Sequence, residues 1–133
     1  MREIKFRAWD KDNKRMCEVV ELCLFSQNAT LAGDIKRLTT SYSSIELMQY
    51  IGKKDNQGIE IYEGDIVDCS TKFISHIYEV YWDDRASQFR LRINGETQFD
   101  KTYSCLIVRF GEVIGNIYEN PELSEKVKKG GEK

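Results

Sequence analysis

Paired cysteines are missing from this sequence: Cys17, Cys23, Cys69 and Cys105 stand far apart or, at the closest, six residues apart, without the tight spacing that zinc sites use. Histidine is represented by His76 alone, so a Cys/His metal cluster is not expected. A bias toward one charge is also missing. Twenty basic and 22 acidic residues leave a net charge of −2 and are interspersed, which excludes a duplex-sized basic footprint and leaves room only for a local patch. No run approaches the roughly 20 apolar residues of a membrane span, and the start, Met1-Arg2-Glu3-Ile4-Lys5, lacks the apolar core of a signal peptide. These absences point to a cytoplasmic protein with reduced thiols. Repeats, low-complexity segments and a dividing linker are lacking too, which makes one β-dominated domain the simplest account.

What is present suffices for a core. A chain of 133 residues can bury roughly two-thirds of the surface its unfolded form exposes, so neither metal nor disulfide is needed as a staple. Six Phe, two Trp and seven Tyr help to fill that core, and 32% charged residues solvate the surface, a balance that argues against disorder. Glu3 to Trp9 alternates Ile4, Phe6 and Ala8 with Lys5, Arg7 and Trp9, the period of a half-buried strand. After the polar turn at Asp10 to Lys14, Met16 to Phe25 forms a second strand, and the two pair as an opening hairpin. On that strand Cys17 and Cys23 share a face with Val19. No cation stands nearby to activate them, so buried structural thiols are favoured over a reactive site.

Ser26 to Ser44 reads as a long loop with one short element. At Ser43 and Glu46 the spacing of a capping box competes with the alternation of Ile45, Leu47, Gln49 and Ile51, and the strand is favoured because Gly52 ends the run too early for a helix. Lys53 to Gly58 is a turn, with Asp55 and Asn56 bonding nearby backbone and Gly58 at positive φ. Glu63-Gly64-Asp65 turns a corner of the kind found in small barrels, with Gly64 in a conformation other residues resist.

Phe73 to Trp82 is a strand with Ile74, His76, Tyr78, Val80 and Trp82 on one face. It connects to Gln88 to Ile93, where Phe89, Leu91 and Ile93 point inward and Arg90 and Arg92 outward. Asn94-Gly95 signals a two-residue hairpin turn, with Glu96 to Phe99 as the return strand. Leu106 to Phe110 and Glu112 to Tyr118 complete the β-rich pieces. Asn120-Pro121-Glu122 starts a short helix to about Lys128, with Asn120 as its N-cap.

Three constellations invite chemistry. Glu60, Glu63, Asp65 and Asp68 are carboxylates dense enough for acid-base work or a hard cation, yet acids beside glycine are also ordinary corner residues. His76 with Asp83 or Asp84 would make a general base, but no nucleophile is placed for it. Arg90 and Arg92, with Arg85, Tyr81 and Trp82, suit single-stranded nucleic acid, which small barrels bind by stacking and a basic groove; Glu79 on the neighbouring strand is an alternative partner for one arginine. Trp9, Tyr50, Tyr62 and Tyr118 are open either to an exposed aromatic patch for protein contacts or to the core.

The blocks Arg2-Glu3-Ile4-Lys5-Phe6-Arg7-Ala8-Trp9-Asp10, Met48-Gln49-Tyr50-Ile51-Gly52 with Asp55, Gly58 and Ile61-Tyr62-Glu63-Gly64-Asp65-Ile66-Val67, and Val113-Ile114-Gly115-Asn116-Ile117-Tyr118-Glu119-Asn120-Pro121-Glu122-Leu123 resemble the YopX family of phage and prophage proteins. They occur in the family's order and together cover most of the chain. Ile51 stands where the family pattern has threonine. The positions that match are Trp9, Tyr50, Gly52, Asp55, Gly58, Tyr62, Glu63, Gly64, Asp65, Gly115, Asn116 and Pro121.

The resemblance implies a mainly β fold, a small antiparallel β-barrel with SH3-like elements and a short C-terminal helix. The expected organisation is a YopX-like β domain over 1–123 and a helix end with a flexible basic tail over 124–133. It also implies phage or prophage origin and self-association. It implies no activity and carries over no catalytic, cofactor-binding or metal-binding residue. The expected role is therefore a non-enzymatic, self-associating binding or assembly module in the bacterial host cytoplasm. Its partners would be further copies of itself and a phage or host protein, with no cofactor and no membrane. The alternative is a single-stranded nucleic-acid-binding barrel, and a carboxylate-dependent enzyme comes third.

Overall fold

The computed structural model of the chain describes residues 1–33, 36–73, 76–93 and 102–123. It is mainly β, as expected, and its contacts gather in two units, Met1–Tyr50 and Ile51–Lys133. Where the sequence suggests one β domain over 1–123, the division falls inside a continuous strand, Ile45–Lys54, and not at a linker. Among the described residues neither sheet closes on itself, so the barrel expected with the β class is not found.

In the first unit, β1 (Phe6–Asp10) and β2 (Arg15–Cys23) form the anticipated hairpin, Ala8 opposite Cys17 and Asp10 opposite Arg15. The loop is held by Asp10, whose Oδ1 accepts the N–H groups of Asp12 and Asn13 at 3.1 and 3.2 Å. The stretch read as loop contains two strands, β3 (Asn28–Leu31) and β4 (Leu38–Ser41), followed by a 3-10 turn at Tyr42–Ser44 that the Ser41 hydroxyl caps. Both strands are short and rich in Thr, Ser and Asn, so they lack the apolar run that marks a strand. With β5 (Ile45–Lys54) the order is β4-β3-β2-β1-β5.

Ala8, Cys17, Ala29, Leu31 and Ile45 make the core of this unit, with Val19, Leu22 and Tyr42 against it. A register shift between Val19 and Glu21 reverses the alternation in β2. Leu22, not Cys23, therefore follows Cys17 and Val19 into the core, which corrects the expected shared face. Cys23 is half-buried at the hairpin end, and the Ser26 hydroxyl and amide hold its thiol below the usual range. Burial pushes Cys69 and Cys105 up to about 11. Alkylation with iodoacetamide at pH 8, followed by mass spectrometry, should label Cys23 first; equal rates at Cys69 or Cys105 would contradict this assignment.

In the second unit the far half of β5 continues through Gly52, at φ 84°, to Lys54. Gly52 thus bends the strand and does not end it. β6 (Glu60–Tyr62) pairs back on it. β7 (Asp65–Asp68), β8 (Ile77–Asp83), β9 (Gln88–Arg92), β10 (Thr102–Ser104) and β11 (Glu112–Asn116) form a five-stranded sheet in the order β10-β9-β8-β7-β11. Ile61, Val67, Tyr78, Val80, Leu91, Cys105 and Val108 are its core.

β8 begins at Ile77, so Phe73 lies outside the strand and is exposed, while Trp82 sits at the strand end against Phe89. Cys105–Phe110 is a 3-10 helix and not a strand. Ser104 caps it, and Cys105 and Val108, three apart, fill the core, the spacing of a three-residue turn. β11 ends at Asn116, short of the expected Tyr118. The Asn94-Gly95 turn, the return strand from Glu96 to Phe99, Ile74, the helix beyond 123 and the tail 124–133 lie outside the described residues.

Candidate functional site

The two later family blocks meet in the second unit. The turn after β5 places Asp55 so that Oδ1 accepts from the amides of Gln57 (2.8 Å) and Ile59 (2.9 Å), while Oδ2 reaches Val113 N–H at 2.8 Å. Asn56 N–H donates to Gly111 C=O at 2.9 Å alongside. Gly58, at φ 81°, closes this turn as the sequence predicts. Burial raises the carboxyl pKa of Asp55, but the three amides more than offset it and leave the carboxyl below its usual value. Gly111 permits the approach: a Cβ there would lie 2.7 Å from Val67 Cγ1 and 2.9 Å from Asp68 C=O.

The corner is the second meeting point. Gly64 has φ 83°, donates its N–H to Val80 C=O and accepts from Ile117 N–H, each at 2.9 Å. Asp65 is 1% exposed, accepts the Tyr62 amide at 2.8 Å through Oδ2, and pairs in register with Asn116. Gly64→Ala should cost about 1 kcal/mol or more in urea unfolding, because alanine is strained at that φ.

Asn116 organises the chain end. Its Oδ1 accepts from Tyr118 and Glu119 amides at 3.0 and 2.8 Å, and its Nδ2 donates to Glu119 Oε1 at 2.8 Å. Asn120 stands at the expected N-cap position before the helical residues 121–123, its C=O accepting the Leu123 N–H at 3.0 Å. Its Oδ1 turns back to accept the Asn116 amide at 3.2 Å, and 121–123 follow in helical backbone. Gly115 is required beside it, since a Cβ would meet the Asn120 side chain and, at 2.8 Å, Leu123 Cδ1.

None of the four aromatics is fully exposed. Tyr50 is buried with Lys5 Nζ 5.7 Å from its ring centroid, Trp9 is half-buried opposite Met16 and Glu46, and Tyr62 and Tyr118 are half-buried in the other unit. Of the arginine set, Tyr81, Arg90 and Arg92 share one face of β8 and β9, whereas Trp82 lies on the opposite face against Phe89. Arg92 lies 4.1 Å over the Tyr81 ring and pairs with buried Glu79 at 3.2 Å, the partner that cross-strand spacing suggests. Arg90 approaches Asp83 at 3.9 Å. Trp82 Nε1 donates to Asp84, and Arg85 is exposed in the loop, where its amide binds Asp83.

The proposed His76 pairing fails on the acids: Asp83 accepts the amides of Arg85 and Ala86, and Asp84 accepts Trp82. His76 stacks on Tyr78 with centroids 5.8 Å apart. Of the carboxylate set, Asp68 accepts the Ser70 amide at 2.8 Å, Asp65 is committed to Tyr62, and Glu60 and Glu63 are half-buried. Among the described residues no three His, Cys, Asp or Glu side chains gather as metal ligands, and no helix is long and apolar enough to cross a membrane.

Sequence reasoning missed two features. One is a repeated loop: Trp9-Asp10 and Trp82-Asp83 each end a strand, the aspartate accepts amides two and three residues on, and the loop closes at positive φ, Lys14 at 54° and Ser87 at 52°. The Trp-Asp dipeptide was its signal. The other is the outer face of the 3-10 helix, where Leu106 and Phe110 are 66% and 68% exposed and Ile107 joins them; a serine before an apolar run at three-residue spacing announces it.

The family model described as YopX protein matches residues 5–125. Among solved structures, protein EF1440 from Enterococcus faecalis is 28% identical, with a TM-score of 0.61 over 93% of this chain and 99% of that one. Protein yopX from Bacillus subtilis shares the fold at 23% identity, with a TM-score of 0.56 over 92% of this chain and 96% of that one. None of the curated proteins compared matches the chain. With a family model spanning nearly its whole length and residues of the resembling blocks joined by Asp55, Gly64 and Asn116, the chain belongs to the YopX family.

Proposed function

We propose that this protein is a phage or prophage binding and assembly module that acts in the cytoplasm of the bacterial host, associates with itself and with a phage or host protein, and has no catalytic centre. The observation that carries the reading is the use of its buried polar side chains. Asp10, Asp55, Asp65, Asp83 and Asn116 each accept main-chain amides at turns, and Glu79 pairs with Arg92. A catalytic carboxylate needs an open site and a reacting partner; these groups are buried and bonded within the fold. The exposed Leu106, Ile107 and Phe110 supply apolar surface of the kind partners cover.

The test is sedimentation equilibrium combined with a filter-binding titration against single-stranded DNA across salt. The reading predicts concentration-dependent association of the protein and no DNA binding at low salt. A monomer at the highest concentration removes the self-association. Salt-sensitive binding that Arg90→Ala and Arg92→Ala both weaken would instead establish the nucleic-acid alternative.

A further inference from the structure

We draw no further inference here: the strongest candidate, the apolar face that Leu106, Ile107 and Phe110 expose on the 3-10 helix of the second unit, carries no mark of its occupant, since the exposed Arg109 and Glu112 flank it with opposite charges and nothing in the structure shows what covers it.

Discussion

Asp55→Ala should be the most damaging single substitution in this protein, lowering unfolding free energy by about 3–5 kcal/mol in urea denaturation, because three amides lose a charged acceptor. The Gln57 and Ile59 amides lie in an exposed turn and can bind water. Val113, 58 residues away, is half-buried and depends on Asp55 Oδ2. The substitution therefore cuts a link between distant segments as well as a local turn. Asp55→Asn should cost less, about 1–3 kcal/mol, since an amide keeps one acceptor oxygen and presents an N–H to a donor. The same residue makes the fold acid-sensitive. Its folded pKa is lowered, so its contribution is complete above the unfolded value of about 4 and is lost as pH falls through the folded value. Asp10 acts in the same direction, chiefly through its bond from the Asn13 side chain. An acid titration of wild type against Asp55→Asn should show a shallower loss of stability below pH of about 4 in the variant; parallel curves would contradict the assignment.

Asn116→Ala comes next, at about 2–4 kcal/mol by the same measurement. It strips the Tyr118 and Glu119 amides of their acceptor and frees the Glu119 carboxylate. Asn116→Asp distinguishes the two halves of that role. Its oxygens still accept both amides, but one faces Glu119 Oε1 where an N–H now lies at 2.8 Å. The variant should be destabilised at neutral pH and restored in part by Glu119→Gln. If Asn116→Asp is as stable as wild type, the amide contributes nothing through Glu119.

Much of the frame around these residues is legible from the chain. The Asp10 loop, the Gly58 turn and the Gly64 corner are local devices, each written within a few residues, and each folds as read. What escapes is of two kinds. Where the backbone inserts a residue, as between Val19 and Glu21, alternation inverts and Cys23 exchanges places with Leu22. Where an apolar run is short, helix and strand look alike, and Cys105–Phe110 takes the 3-10 form because Cys105 and Val108 reach the same core three residues apart. β3 and β4 escape for a related reason, their hydroxyl-rich residues being those of loops.

The candidate site shows the same limit. Asp55 is recognisable as a turn residue, but its bond to Val113 is a tertiary fact with no periodic trace. Two of the acids that suggest catalysis by composition hold turns: Asp65 accepts the Tyr62 amide and Asp68 the Ser70 amide. Arg92 illustrates the converse. A cation beside aromatics looks like a nucleic-acid contact, and it lies over Tyr81 while paired to Glu79.

The Asp55 carboxylate joins the middle and last family blocks through the Val113 amide. Carbon-detected NMR titration of Asp55, with the Val113 amide followed in the same samples, tests this most directly. The structure predicts an Asp55 midpoint below its ordinary value of 3.8, with the Val113 amide shifting along the same curve. An Asp55 that titrates at or above that value while the Val113 amide stays still would contradict it.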